Sequence, residues 1–337
     1  VKECQATDNR DVPLIESSSY RPPWWLPGGH LQTIAPSLFR RLKPVATLHE
    51  RLELEDGDFL DLAWSGKTAK RLAVLSHGLE GSSNGSYIQS MAATLAGAGW
   101  DVLAWNFRGC GTDPNRLLSF YHSGATHDLD AVIRHALENH PAEVVDLVGF
   151  SLGGNLTLKY LGENRTRPSR LHRAIAFSVP CDLADSAAKL SEPGNRVYMV
   201  RFLQSLRAKL RRKDEIFPGQ LDLTGLDSIR TFVEFDDRFT APLHGFKDAD
   251  DYWTRSSCRQ FLPDIRLPAL LVNAMNDPFL GRRCFPAEEA AESEFFHLET
   301  PAGGGHVGFP DASGCWMGTR TVDWLDAAGQ SLDIIRP

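Results

Sequence analysis

The 337-residue chain predicts an α/β domain, a mostly parallel twisted sheet with helices on both faces and a helical insertion over one edge. Three observations predict it. Short apolar runs at Arg71 to Ser76, Trp100 to Trp105, Val144 to Val148, Ala174 to Ser178 and Leu267 to Asn273 have the length of strands buried on both faces. Segments with helical apolar spacing lie between the earlier runs. From Cys181 to about Arg259 the alternation breaks into a long, charged, helical stretch, then resumes.

In chain order, residues 1–20 are polar and read as a loose arm, part of an N-terminal segment, 1–45, packed on the body. Within it, Arg21-Pro22-Pro23-Trp24-Trp25-Leu26-Pro27-Gly28-Gly29 has three prolines and two glycines, which argue against a regular element. Trp24 and Trp25 are expected to anchor it by burial, and His30 and Gln32 have the weaker expectation of facing a site. Leu48 to Trp64 alternates around Asp56-Gly57, a hairpin with Leu52, Leu54, Leu60 and Leu62 turned to the core. Helices follow at about Ser86 to Ala96 and Thr126 to Leu137, the latter with Leu129, Val132, Ile133 and Ala136 in register. The core therefore comprises 46–180 and 260–337, and 181–259 is a cap or lid. Its main element, Arg196 to Lys213, is amphipathic, with Val197, Val200, Leu203, Leu206 and Leu210 on one face. Its basic side reads as solvated, with an anionic membrane surface as the sharper alternative. A strand at Glu294 to Leu298 and a helix near Thr321 to Ala328 end the fold.

The run at Val144 leads directly into Gly149-Phe150-Ser151-Leu152-Gly153, a G-x-S-x-G pattern, and then into a helical segment through Leu161. A serine on a tight strand-to-helix turn exposes its hydroxyl beside the first free helical amide, here that of Leu152. The same pattern recurs at Gly81-Ser82-Ser83-Asn84-Gly85, but no strand runs into that copy. Ser151 is the candidate nucleophile.

Bulk properties remove other classes. A net charge of -7 argues against nucleic acid as a partner. There is no run of eighteen apolar residues to span a membrane, and no visible signal peptide, so a cytoplasmic enzyme is expected. Peripheral contact with a membrane stays open, as does the oligomeric state. Cys4, Cys110, Cys181, Cys258, Cys284 and Cys315 lack C-x-x-C spacing, which suggests neither a zinc site nor a disulfide framework. No metal and no organic cofactor is expected.

A serine nucleophile needs a base and an acid to orient it, met in the order Ser, Asp or Glu, His on loops that follow strands. Asp277 follows the Leu270–Asn273 run, and His306 follows the last strand through Gly303-Gly304-Gly305. Asp264 precedes its strand and falls at the wrong edge. A second oxyanion donor is expected after the strand at 71–76, where His77-Gly78-Leu79 offers the Leu79 amide to pair with that of Leu152. His77 comes too early to be the base and reads as a loop brace.

The runs P-P-W-W-L-P-G-G-H-L-Q-T-I, H-G-L-E-G-S-S, N-F-R-G-C-G, G-F-S-L-G-G-N and G-G-G-H-V-G-F resemble the YheT-like branch of the α/β-hydrolases. That branch is similar to eukaryotic α/β-hydrolase-domain lipases and yeast ethyl ester synthase/esterases. The resemblance spans about Arg21 to the C-terminus. It implies the α/β-hydrolase fold and a carboxylic ester hydrolase for short- to medium-chain acyl esters, with Ser151, Asp277 and His306 as triad.

The competing readings are an acyltransferase using the same three residues and a non-catalytic ligand-binding protein on the fold. His306-Val307-Gly308-Phe309-Pro310-Asp311 spells the H-x-x-x-x-D pattern of some acyltransferases, but the triad already claims this histidine.

Overall fold

Strand order in the sheet reverses beside the segment that carries Ser151, and that reversal makes room for a site. The computed structural model describes residues 13–15, 17–39, 45, 47–163, 166–311 and 316–327. Residues 1–12 of the predicted arm, Cys4, Cys315 and the predicted helix end at Ala328 lie outside these. The strands are β1 (Leu14–Ile15), β2 (Leu48–Glu53), β3 (Phe59–Ser65), β4 (Arg71–Ser76), β5 (Asp101–Trp105), β6 (Val144–Phe150), β7 (Leu171–Phe177), β8 (Ala269–Val272) and β9 (Phe296–Glu299). They pair in the order β1-β9-β8-β7-β6-β4-β5-β3-β2. All pairings are parallel except those of β3 with β2 and β5, so β3 alone runs against the rest.

The chain leaves β4 for β5 on one side and returns to β6 on the other, with Leu75 opposite Val148. Loops leaving β4 and β6 therefore part at their C-terminal ends, the crevice where open α/β sheets bind ligands. The apolar residues of β4 to β8 alternate between two core layers. Helices α2 (Ser86–Gly97) and α11 (Trp316–Asp326) cover one face through Ile88, Met91 and Trp324. Helices α3 (Thr126–Asn139) and α4 (Leu152–Gly162) cover the other through Leu129, Val132 and Leu156.

Between β7 and β8 the chain forms α5 (Leu183–Leu190), α6 (Arg196–Ile216) and α7 (Phe232–Phe235). A π-helical turn over Asp236–Thr240, α8 (Ala241–Leu243) and α9 (Ala249–Ser256) complete the stretch. A short α10 (Ala287–Ala291) joins β8 to β9.

Five expectations change. Leu14–Ile15 is a strand against β9, because the polar arm holds one apolar pair and β9 offers a free edge. Residues Gly28–Phe39 form helix α1, in which the two glycines occupy the first turn and Pro36 lies inside. Trp24 and Trp25 are not buried anchors; they are 91% and 61% exposed. Of the expected apolar face of α6, only Leu203, Leu206 and Leu210 are buried, while Val197 and Val200 near its start are exposed. Much of the basic side of α6, though not Arg201, is also engaged with the protein. Lys209 pairs with Glu80, Arg211 with Asp227, and Arg207, Arg212 and Lys213 donate to backbone carbonyls.

Candidate active site

Ser151 sits between β6 and α4 with φ 52° and ψ -119°, a conformation that L-residues rarely adopt. Close packing enforces it. A Cβ on Gly149 would lie 2.6 Å from Gly154 Cα, and one on Gly153 would collide with the Ser76 and His77 carbonyl oxygens. Only glycine lets the turn close, which is why strand and helix can meet at so sharp an angle.

His306 approaches from the loop after β9. Its Nε2 is 2.9 Å from Ser151 Oγ, and its Nδ1 is 2.9 Å and 3.2 Å from the two oxygens of Asp277. Asp277 comes from the loop after β8, is almost fully buried, and also accepts the Phe279 amide at 2.8 Å. The Phe279 ring lies 4.1 Å from the imidazole and shields it. The geometry fixes the tautomer: Nδ1–H donates to the carboxylate, leaving Nε2 to accept the serine proton. Asp264 precedes β8 on the exposed surface, in a loose pair with Arg266.

The loop after β4 lies against the serine, with a Cβ on Gly78 only 3.1 Å from Ser151 Cβ. Leu79 and Leu152 line one cavity with Ser151 and His306. Among the described residues neither amide donates to a protein acceptor, so both N–H groups are available to a developing oxyanion. His77 braces this loop: its Nε2 accepts the Phe107 amide, so Nδ1–H donates to the Gly78 carbonyl. Complete burial pulls its pKa down to about 3, and it stays neutral. The buried Lys209–Glu80 pair and Tyr121, whose hydroxyl donates to Glu80, tie the same loop to α6.

Sequence reasoning underweighted the bracing of the histidine loop. Gln32 is buried; its Oε1 accepts the Gly304 amide and Asn276 Nδ2, while its Nε2 donates to the Leu26 carbonyl. Thr33 Oγ1 accepts the His306 amide, Asn276 Oδ1 accepts that of Gly305, and Ser178 Oγ accepts that of Val307. The loop needs this support, since Gly304, Gly305, Val307 and Phe309 all have positive φ. The signal was the polar Gln32-Thr33 pair inside an otherwise apolar run. His30 reaches Tyr198 of α6 rather than the serine.

The cavity holds about 760 Å³ with its mouth. From 181–259 it receives Leu183, Ala187, Leu190, Phe202, Phe232 and Phe235, among others, and neither Met199 nor Leu203 lines it. One acid enters this wall unforeseen. Asp236 is buried, its two oxygens accepting from Thr240 Oγ1 at 2.6 Å and Trp253 Nε1 at 2.9 Å. Burial pushes its pKa up to about 7. His122, also in the wall, is held neutral by burial beside His244. No group of three or more metal-ligating side chains occurs among the described residues.

The family described as alpha/beta hydrolase fold matches residues 74–311. The chain is 37% identical over 307 residues to the YheT protein of Escherichia coli, an esterase by name, covering 88% of this chain and 89% of that one. It is 28% identical over 322 residues to phospholipase ABHD3 of Mus musculus, covering 93% and 77%. Among solved structures, the Pyrococcus furiosus esterase Pf2001 superposes with a TM-score of 0.57 at 16% identity, over 85% of this chain and 96% of that one; this is a likeness of fold.

Proposed function

We propose, from the premise that this chain belongs to the alpha/beta hydrolase family and to its YheT-like branch, that it is a serine carboxylic ester hydrolase. One observation carries the reading: the unbroken line of hydrogen bonds from Ser151 Oγ through His306 to buried Asp277, at a strained turn flanked by two uncommitted amides. In the reaction, His306 Nε2 takes the hydroxyl proton as Oγ attacks the ester carbonyl, and Asp277 stabilises the imidazolium. The Leu79 and Leu152 amides hold the oxyanion. The imidazolium proton goes to the leaving alcohol. Water, deprotonated by the same nitrogen, then releases the acid from the acyl-enzyme.

The substrate is an uncharged small-molecule ester with a short to medium acyl chain, suited to the mainly apolar cavity. Residues 181–259 act as its cap, and 1–45 as an arm on the core of 46–180 and 260–337. Acyl transfer to an alcohol gains no support from the H-x-x-x-x-D spacing, because Asp311 accepts the Trp316 amide at the start of α11.

The test is labelling by a fluorophosphonate probe together with hydrolysis of p-nitrophenyl esters of increasing chain length. Labelling should vanish in Ser151→Ala and persist in Ser83→Ala. A Ser151→Ala protein that still labels would place the nucleophile elsewhere.

A further inference from the structure

Helix α1 turns two polar residues inward. Gln32 and Thr33 face the protein and hold the His306 loop, whereas Leu31, Ile34, Leu38 and Phe39 are between 37% and 76% exposed. Leu31, Ile34 and Leu38 recur at helical spacing, so they form one outward stripe. The turn before the helix adds the exposed Trp24 and Trp25. Across a cleft stands the start of α6, where Val197 and Val200 are also exposed. Ile34, Leu38, Val197 and Arg201 line that cleft, which runs down to Ser151 and His306. An apolar rim around the mouth of a site is a surface built to meet something apolar.

The charges around it narrow the occupant. Arg196 and Arg201 are exposed at this end of α6, and among the described residues neither meets a carboxylate. Arg21, before the tryptophans, is exposed and, among the described residues, donates only to the Ser18 and Tyr20 carbonyls. Glu80, the acid lining the cleft, is taken by Lys209. Tryptophans beside an apolar helical stripe, edged by uncompensated arginines, match the demands of a bilayer interface with anionic headgroups. A second copy fits poorly, since a two-fold contact would bring both copies' unpaired arginines to one interface with no acid to meet them.

We propose that the Trp24–Trp25 turn, the outer stripe of α1 and the start of α6 seat on an anionic lipid bilayer surface, with the cleft mouth facing the lipid. No helix among the described residues is long and apolar enough to cross a membrane. That an ester passes from the lipid to Ser151 rests on the hydrolase reading; the docking itself does not.

The experiment is co-sedimentation with vesicles of phosphatidylglycerol mixed with phosphatidylcholine, against phosphatidylcholine alone, followed also by tryptophan fluorescence. The full chain and Ser151→Ala should bind the anionic vesicles equally, with a blue shift. The combined change Trp24→Ser, Trp25→Ser and Leu31→Glu should weaken partition about tenfold or more while hydrolysis of a short water-soluble ester is kept, which also reports folding. Arg196→Gln with Arg201→Gln should weaken it about tenfold at low salt. Absence of vesicle binding, or equal binding by the rim variants, overturns the proposal. So does a lipid-independent dimer that the same variants dissociate. Docking retained by a chain inactive on every ester would sink the hydrolase reading and leave the docking standing.

Discussion

Asp277 and Asp236 are both buried near one cavity, and their surroundings treat them oppositely. Asp277 has His306 on its two oxygens and the Phe279 amide on one of them. Asp236 has a hydroxyl and an indole N–H, no cation among the described residues, and Asp237 next to it, and burial raises its pKa to about 7. One carboxyl is held against the His306 imidazole, which it orients. The other is close to shedding its charge at neutral pH. The difference lies in what each acid is given to hold, since residue type and burial are alike.

The largest expected effect removes the charge from the first acid. Asp277→Asn keeps shape but offers His306 the wrong hydrogen bond, and kcat should fall by about four orders of magnitude with the fold intact. Asp264→Asn should change little. If steady-state kinetics gave the reverse, the acid would have been assigned to the wrong strand end.

A second way to sharpen the comparison is to loosen what positions the base. Gln32→Ala removes the acceptor shared by Gly304 and Asn276. A displacement of about 1 Å at His306 can cost about 100-fold, so kcat should drop by up to that factor with KM nearly unchanged. Gln32→Glu, which keeps the acceptor, should recover part of it. A variant that loses only thermal stability would make Gln32 a scaffold residue.

The cavity wall that Asp236 shares should act on substrate choice. Phe202 contacts Phe279 and Phe232 at ring distances of 5.9 and 6.1 Å, so Phe202→Ala opens room beside the serine. Each further methylene accommodated is worth about 0.8 kcal/mol, roughly fourfold in kcat/KM. The chain-length optimum should move to longer esters; an unmoved profile would take the acyl chain out of this wall.

What was readable in the sequence divides along the same lines as these acids. Ser151, Asp277 and His306 each follow an apolar run at a strand end, so chain order alone predicts one sheet edge for them. Asp236 follows no strand. It sits in a π-helical turn of 236–240 whose position depends on how α6 and α9 pack, and no periodicity in residues 181–259 encodes that. Trp24, Trp25, Val197 and Val200 misled for a related reason: apolar residues are expected inside, and nothing local marks the ones a surface retains. Gln32 was legible only in the weaker expectation that it faces a site; which loop it braces is set by how α1 packs.

The smallest effect on turnover, and the sharpest on the comparison, is Asp236→Asn. Its amide can accept from Trp253 and donate to Thr240 Oγ, so it mimics the protonated acid. Hydrolysis of simple esters near pH 6 should stay within about threefold of wild type, since no reacting atom meets this side chain. Stability should respond to pH. With a folded pKa near 7 against an unfolded value near 3.8, the folded state binds the extra proton between those values. The stabilisation is complete below the unfolded pKa and is lost as pH rises through about 7. The asparagine variant, with nothing to titrate, should therefore gain on wild type between about pH 4 and pH 8, by at most a few kcal/mol. Thermal melts of both proteins across that range measure the gap. A gap that is flat with pH would mean Asp236 stays ionised despite its burial, and the contrast between the two acids would fail.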